Sequence, residues 1–176
     1  MKNYRNEVAL STKDIDFTNK KYSITLNTNM GAITFDLNSQ AAPEHCQNLI
    51  GLARVGFYDN LKFHRVAKNY LIQTGCPLGV GTGGPGYKLN PEFSSAPHEL
   101  GTVSMARTAD VTSAGSQFFI CLDRREELDQ QYTVLGKVIH DDVELLKKLG
   151  TVQTGLGDRP MQDIFIENIE VQEQVQ

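Results

Sequence analysis

The chain has 176 residues, 40% hydrophobic and 22% charged, with 17 Lys and Arg against 21 Asp and Glu for a net charge of −4. That size and balance suit one globular domain with an ordinary core, and the negative charge argues against a broad basic face for DNA or RNA. The N-terminus lacks the apolar run of a signal peptide and nothing later approaches a span of ~20 apolar residues, so the expectation is a cytoplasmic protein with no membrane or nucleic-acid partner.

Residues 1–20 are polar and without clear period, and read as a leader held loosely along a domain of residues 21–173, with 174–176 as a short tail. Ile24 and Leu26, then Ile33, Phe35 and Leu37, alternate about Asn29-Met30-Gly31 and predict a hairpin with one buried face. From Pro43 the period changes: Cys46, Leu49, Ile50 and Ala53 fall at i, i+3, i+4 and i+7, with Pro43 suited to the first turn and Gly56 to the C-terminal cap. A second helix is predicted over 141–149, where Val143, Leu146 and Leu149 share a face, Asp141 and Asp142 lie at its positive end and Lys147 and Lys148 at its negative end.

Between the helices lie short β-like segments, FHRV (63–66), YLIQT (70–74), TVSMA (102–106), QFFICL (117–122) and TVLGKV (133–138). In the closing strand, Ile164, Ile166, Ile169 and Val171 alternate with a slip at Asn168 that predicts a β-bulge. The three cysteines, Cys46, Cys76 and Cys121, are an odd number with no C-x-x-C and no neighbouring ligand cluster, which points to free thiols and no metal site. Cys46 and Cys121 lie in apolar patterns that read as core.

CPLGVGTGGPGY (76–87) contains a literal G-x-G-x-x-G at Gly79, Gly81 and Gly84. Such a fingerprint binds a dinucleotide only where a strand enters it and a helix leaves it within a parallel βαβ unit. Pro85-Gly86-Tyr87 follows instead, with no helical period, so the run reads as a surface loop needing positive φ at several positions.

FHRV, Tyr70-Leu71-Ile72-Gln73-Thr74-Gly75, GTGGPGY, Ser104-Met105-Ala106-Arg107, GSQFFI and Val134-Leu135-Gly136-Lys137-Val138 occur in the order and spacing of the cyclophilins, and the chain resembles the bacterial-type, single-domain peptidyl-prolyl cis-trans isomerases over roughly residues 22–171. The resemblance implies a mainly β fold, a closed eight-stranded antiparallel β-barrel capped by two α-helices. It further implies a rotamase that assists protein folding by accelerating rotation about X-Pro bonds. The alternative is a binding module that holds proline-containing segments with little turnover.

Amide rotation costs ~18–20 kcal/mol because the planar bond is resonance-stabilised. No bond to another atom breaks, so the reaction calls for no cofactor, metal, nucleophile or proton shuttle; a catalyst has only to favour the twisted amide over both planar forms. A fixed cationic fork can meet the lone pair that the proline nitrogen regains, and arginine supplies one that does not deprotonate. By family position that donor is Arg65, with Gln73 and Gln117 orienting it and the peptide. Tyr70, Leu71, Phe119, Leu128 and Tyr132 would form the apolar wall, Gly81 a further wall of the groove, and Ala106, Arg107 and Thr108 the edge that pairs with the substrate strand. Phe118 and Phe119 are adjacent in a strand and face opposite ways, which leaves Phe118 for the core. The same alternation turns His64 away from Arg65 and makes it structural.

Several positions depart from the commonest family pattern: Glu127 replaces a tryptophan, Tyr132 a histidine, Arg107 an asparagine and Cys76 an aspartate. The implied partners are proline-containing peptides and proteins, bound by a monomer, and cyclosporin with weakened affinity because Glu127 lacks the indole.

Overall fold

The computed structural model describes residues 2–175. Its strands are β1 (Lys20–Thr28), β2 (Gly31–Leu37), β3 (Arg65–Ala67), β4 (Leu71–Thr74), β5 (Thr102–Met105), β6 (Phe118–Cys121), β7 (Val134–Val138) and β8 (Ile166–Val175); its α-helices are α1 (Arg5–Ser11), α2 (Pro43–Arg54) and α3 (Val143–Leu149). The strands form one antiparallel sheet in the order β3-β4-β6-β5-β7-β2-β1-β8.

The hairpin forms where alternation places it. Ile24, Leu26, Ile33 and Phe35 are fully buried, and Gly31, at φ +129°, takes a backbone conformation that side chains disfavour. The β1–β8 ladder skips Glu167 between Asn27↔Asn168 and Thr28↔Ile166, which is the bulge expected at the slip. Helix α2 begins with Pro43 at its first turn. Its amide groups at Glu44 and His45 donate to the Glu92 carboxylate at 3.1 and 2.9 Å, so a side chain distant in sequence supplies the N-terminal partner. Just past its end Gly56 sits at φ +71°. Helix α2 packs against β8 and α3 against β2, and their buried faces join Phe35, Tyr58, Phe63 and Phe118 in one core.

Three expectations need correction. The barrel is closed less completely than the resemblance implies. β3 and β8 share no ladder, and the sheet's two ends meet through the segment before β3, by a bridge Lys62↔Phe165 and hydrogen bonds from Asn60 N to Ile166 O (2.7 Å) and Phe63 N to Ile164 O (2.8 Å). Among the described residues a third α-helix, α1, joins the two expected, because the leader is held against the domain. Val8 of α1 is buried against α2, and the Tyr4 ring meets Phe57 edge-on at 5.1 Å. A helix of seven residues, about two turns, is too short to show a period in the sequence. Finally, β1 starts at Lys20, and Gln174 and Val175 of the expected tail belong to β8, paired with Lys21 and Lys20; Met1 and Gln176 lie outside the described residues.

Candidate active site

Strands β4 and β6 each present one face to the core and one to a separate apolar cluster. In their ladder Leu71 lies opposite Cys121 and Gln73 opposite Phe119. Phe118 points into the main core, whereas Phe119 joins Leu71, Cys121 and Leu128, with Tyr70, Ala106 and Tyr132 packed around them. Leu128 arrives from a 3-10 turn, Glu126–Leu128, and the Tyr132 ring meets Phe119 edge-on at 5.6 Å. Burial pushes the Cys121 thiol up to about 12, so this sulfur is packing material.

Behind the cluster lies a residue that local pattern did not single out. His98 stacks on Phe119 at 6.1 Å and meets Tyr132 edge-on at 6.3 Å. Its ring nitrogens lie 3.2 Å from the Asp129 carboxylate and 3.0 Å from the Ser104 hydroxyl, so both edges of the ring are held. Burial moves the His98 pKa below its usual value, against the opposing pull of Asp129. Arg124, together with the His98 backbone N–H, depresses the Asp129 carboxyl to about 2. A lone histidine in a loop carries no periodic signal, and nothing in its neighbours marked it.

Arg65 of β3 lies opposite Gln73 of β4, with its guanidinium 5.8 Å from the centre of the Tyr70 ring. The amides of Gln73 and Gln117 donate elsewhere than to a partner of Arg65. Gln73 Nε2 donates to Gln117 Oε1 at 3.0 Å, and Gln117 Nε2 donates to the carbonyls of Gly81 (2.9 Å) and Gly83 (2.8 Å), tying β4 and β6 to the glycine loop. The ion-pair partner of Arg65 is Asp158, Nε to Oδ2 3.5 Å, from a turn far along the chain. The Arg107 guanidinium lies 4.5 Å from the Tyr132 ring centre and donates to the Gln131 carbonyl, while Thr108 N donates to Ser113 Oγ. His64 lines a separate cavity of about 210 Å3 with Lys62 and Arg159; burial, then Arg159 and Arg65, lower its pKa.

A larger cavity of about 560 Å3 adjoins the apolar cluster at Ala106, and Gln73 and Gln117 line it too. Its outer wall is the glycine loop through Lys88, its inner wall Arg107, Thr108 and Ser113. Gly79, Gly81 and Gly86 have positive φ, and the next regular element after the loop is strand β5 rather than a helix. Cys76 anchors the loop, its Sγ accepting the N–H groups of Gly81 and Gly83 at 3.2 Å each. Burial works against its thiolate, but the loop's N–H groups outweigh that and hold its pKa below the usual thiol value.

Residues 23–171 match the family described as cyclophilin type peptidyl-prolyl cis-trans isomerase. The chain is 38% identical over 148 residues to the peptidyl-prolyl cis-trans isomerase CYP18-2 of Arabidopsis thaliana, covering 81% of this chain and 89% of that one. A peptidyl-prolyl cis-trans isomerase of Synechococcus elongatus is 42% identical over 130 residues, covering 74% and 88%. A solved cyclophilin type isomerase of Cryptosporidium parvum superposes with TM-score 0.83 at 30% identity over 86% of this chain and 98% of that one. The same protein in the presence of the dipeptide Ala-Pro gives 0.79, at 28% identity over 85% and 98%.

Proposed function

The chain belongs to the cyclophilin-type peptidyl-prolyl cis-trans isomerases, and on that premise we propose that Arg65 is the donor that favours the twisted amide while Leu71, Phe119, Leu128 and Tyr132 hold the proline ring. The observation that carries this reading is the apolar cluster, separate from the core, with a guanidinium at its edge. Bringing isomerisation from tens of seconds to milliseconds requires ~10⁴-fold, or about 5–6 kcal/mol. One such donor supplies ~3–4 kcal/mol once the bound peptide has fixed it and excluded water. Burial of the proline ring and the lower polarity of the twisted amide supply the remainder. The Arg65–Asp158 pair does not oppose this: with the two side chains 40% and 49% exposed, such a pair is worth ~0–1 kcal/mol, so the guanidinium turns to substrate at little cost.

Gln73 and Gln117 act by fixing the glycine loop to the floor of the groove. Gly81, Ala106, Arg107 and Thr108 border the cavity that takes the peptide on either side of the X-Pro bond. The substrates are proline-containing peptides and proteins, in keeping with the solved relative studied with Ala-Pro. We place the enzyme as a monomer in the cytoplasm, where its three free thiols stay reduced. Exchange spectroscopy on a short X-Pro peptide tests the donor: the wild type speeds cis/trans exchange, and Arg65→Ala lowers kcat/KM at least tenfold with the fold intact. Wild-type turnover by that variant would remove Arg65 from the mechanism.

A further inference from the structure

The residues before β1 lie outside the family match, which begins at residue 23, yet they touch a wall of the substrate groove. Tyr4 N donates to Pro85 O at 3.0 Å, and Arg5 donates to Lys88 O at 3.3 Å with its guanidinium 4.8 Å from the centre of the Tyr87 ring. Gly86, at φ +89°, is pressed against them so closely that a Cβ there would stand 2.5 Å from Lys2 O and 2.6 Å from Asn3 Cα. Pro85, Gly86, Tyr87 and Lys88 all line the 560 Å3 cavity from the opposite side. The leader is therefore the backing of that wall.

Its other end is fixed to the domain. The Tyr4 ring sits edge-on to Phe57. Val8 and Thr12 lie over Gly51 of α2, where an added Cβ would stand 2.6 Å from Val8 Cγ1. Gln47 of α2 donates to Thr12 Oγ1 at 3.0 Å. A loop with three positive-φ glycines has little stiffness of its own. Clamping its far side to α2 restricts the conformations it must lose when a peptide settles on it.

From this geometry we infer that residues 2–12 are a strap that holds the Pro85–Lys88 wall in place and thereby sets the affinity for substrate residues flanking the X-Pro bond. Tyr4 and Arg5 are positioning residues, since they touch the back of the wall and not the cavity. The inference rests on the reading of that cavity as part of the substrate groove. The strap acts on peptides long enough to enter the cavity and leaves the proline pocket alone.

The test uses full-length Tyr4→Ala and Gly51→Ala, which loosen the strap from two sides, with Tyr4→Phe as the conservative rescue. A four-residue X-Pro peptide and a twelve-residue peptide centred on the same X-Pro bond are the substrates, and hydrogen–deuterium exchange of segment 82–89 is followed without substrate. The expected result is exchange in that segment at least tenfold faster in both loosened variants, KM for the long peptide raised at least threefold, and kcat/KM for the short peptide within twofold of wild type. Tyr4→Phe returns all three to wild-type values. Unchanged exchange in the loosened variants overturns the strap while leaving the cavity's assignment intact. Faster exchange with an unchanged KM for the long peptide overturns both, because the wall would then move without any consequence for substrate.

Discussion

The proposed proline pocket and the cavity beside it share Ala106 but are built by different means. The pocket stands on ladder positions of β4 and β6, backed by a buried histidine whose two ring nitrogens are both engaged. The cavity has loop backbone for its outer wall, fixed by the Gln117 amide, one thiol and the leader. A side chain on a ladder is positioned by several cooperative hydrogen bonds, whereas a loop wall is only as stiff as its separate attachments. Changes at the pocket should therefore act locally and alike on every substrate. Those at the cavity wall should act through mobility and discriminate among peptides.

The largest effect should come from the pocket's rim. Glu127 is exposed in the 3-10 turn whose next residue, Leu128, is buried in the apolar wall. A carboxylate there offers neither an indole N–H nor a ring, and, if the family resemblance places cyclosporin at this rim, losing a hydrogen bond with aromatic burial is expected to cost on the order of 2–4 kcal/mol in its binding. Glu127→Trp is expected to tighten the drug at least tenfold by calorimetric titration while kcat/KM for an X-Pro peptide changes less than about threefold. Tight binding by the natural protein would show that the rim does not act locally.

The same division decides what could be read from sequence. Period-two alternation puts Ile24, Leu26, Ile33 and Phe35 inside, separates Phe118 from Phe119 and places a slip at Asn168, next to the bulged Glu167. Each of those is a local property of a regular element. What local pattern could not yield are contacts between segments far apart: Glu92 on the start of α2, Asp158 beside Arg65, His98 beneath Phe119 and the leader behind Gly86. The Gln73 amide likewise donates to Gln117, although Gln73 lies opposite Arg65 on the ladder, a contact that family position alone does not indicate.

A smaller effect is expected from the backing of the pocket. Ser104→Ala leaves the buried Nε2 of His98 without its partner at 3.0 Å, which costs ~1–3 kcal/mol and lowers the urea midpoint accordingly. The pH dependence has a definite sign. The folded-state pKa of His98 lies below the usual 6.5, so the unfolded chain binds more protons; this share of stability is complete above about 6.5 and is lost as pH falls below it. His64 is depressed too and adds to the slope, so His64→Asn isolates the contribution of His98. Asp129, held at about 2, adds a second loss below the ordinary carboxylate range. A His64→Asn protein equally stable at pH 7.5 and 5 would mean that the ring beneath Phe119 accepts a proton freely, and the pocket would not be the rigid partner in the comparison.

The smallest effect belongs to Cys76, where the loop wall can be stiffened instead of loosened. Its sulfur is fully buried and accepts N–H groups from Gly81 and Gly83, and the lowered pKa reflects a backbone arranged for negative charge. Thiol sulfur is a weak acceptor; a carboxylate in its place would make shorter, charge-assisted bonds to the same donors. Burying that charge offsets most of the gain, because desolvation is repaid only by the hydrogen bonds themselves. Cys76→Asp is therefore expected to raise stability by no more than about 1 kcal/mol, to slow hydrogen exchange in segment 78–83, and to leave turnover of a short X-Pro peptide within twofold. Loss of more than about 1 kcal/mol in urea titration would show that the donors around Cys76 cannot reorganise onto a carboxylate, and that the wall owes its shape to the sulfur rather than to the charge its backbone favours.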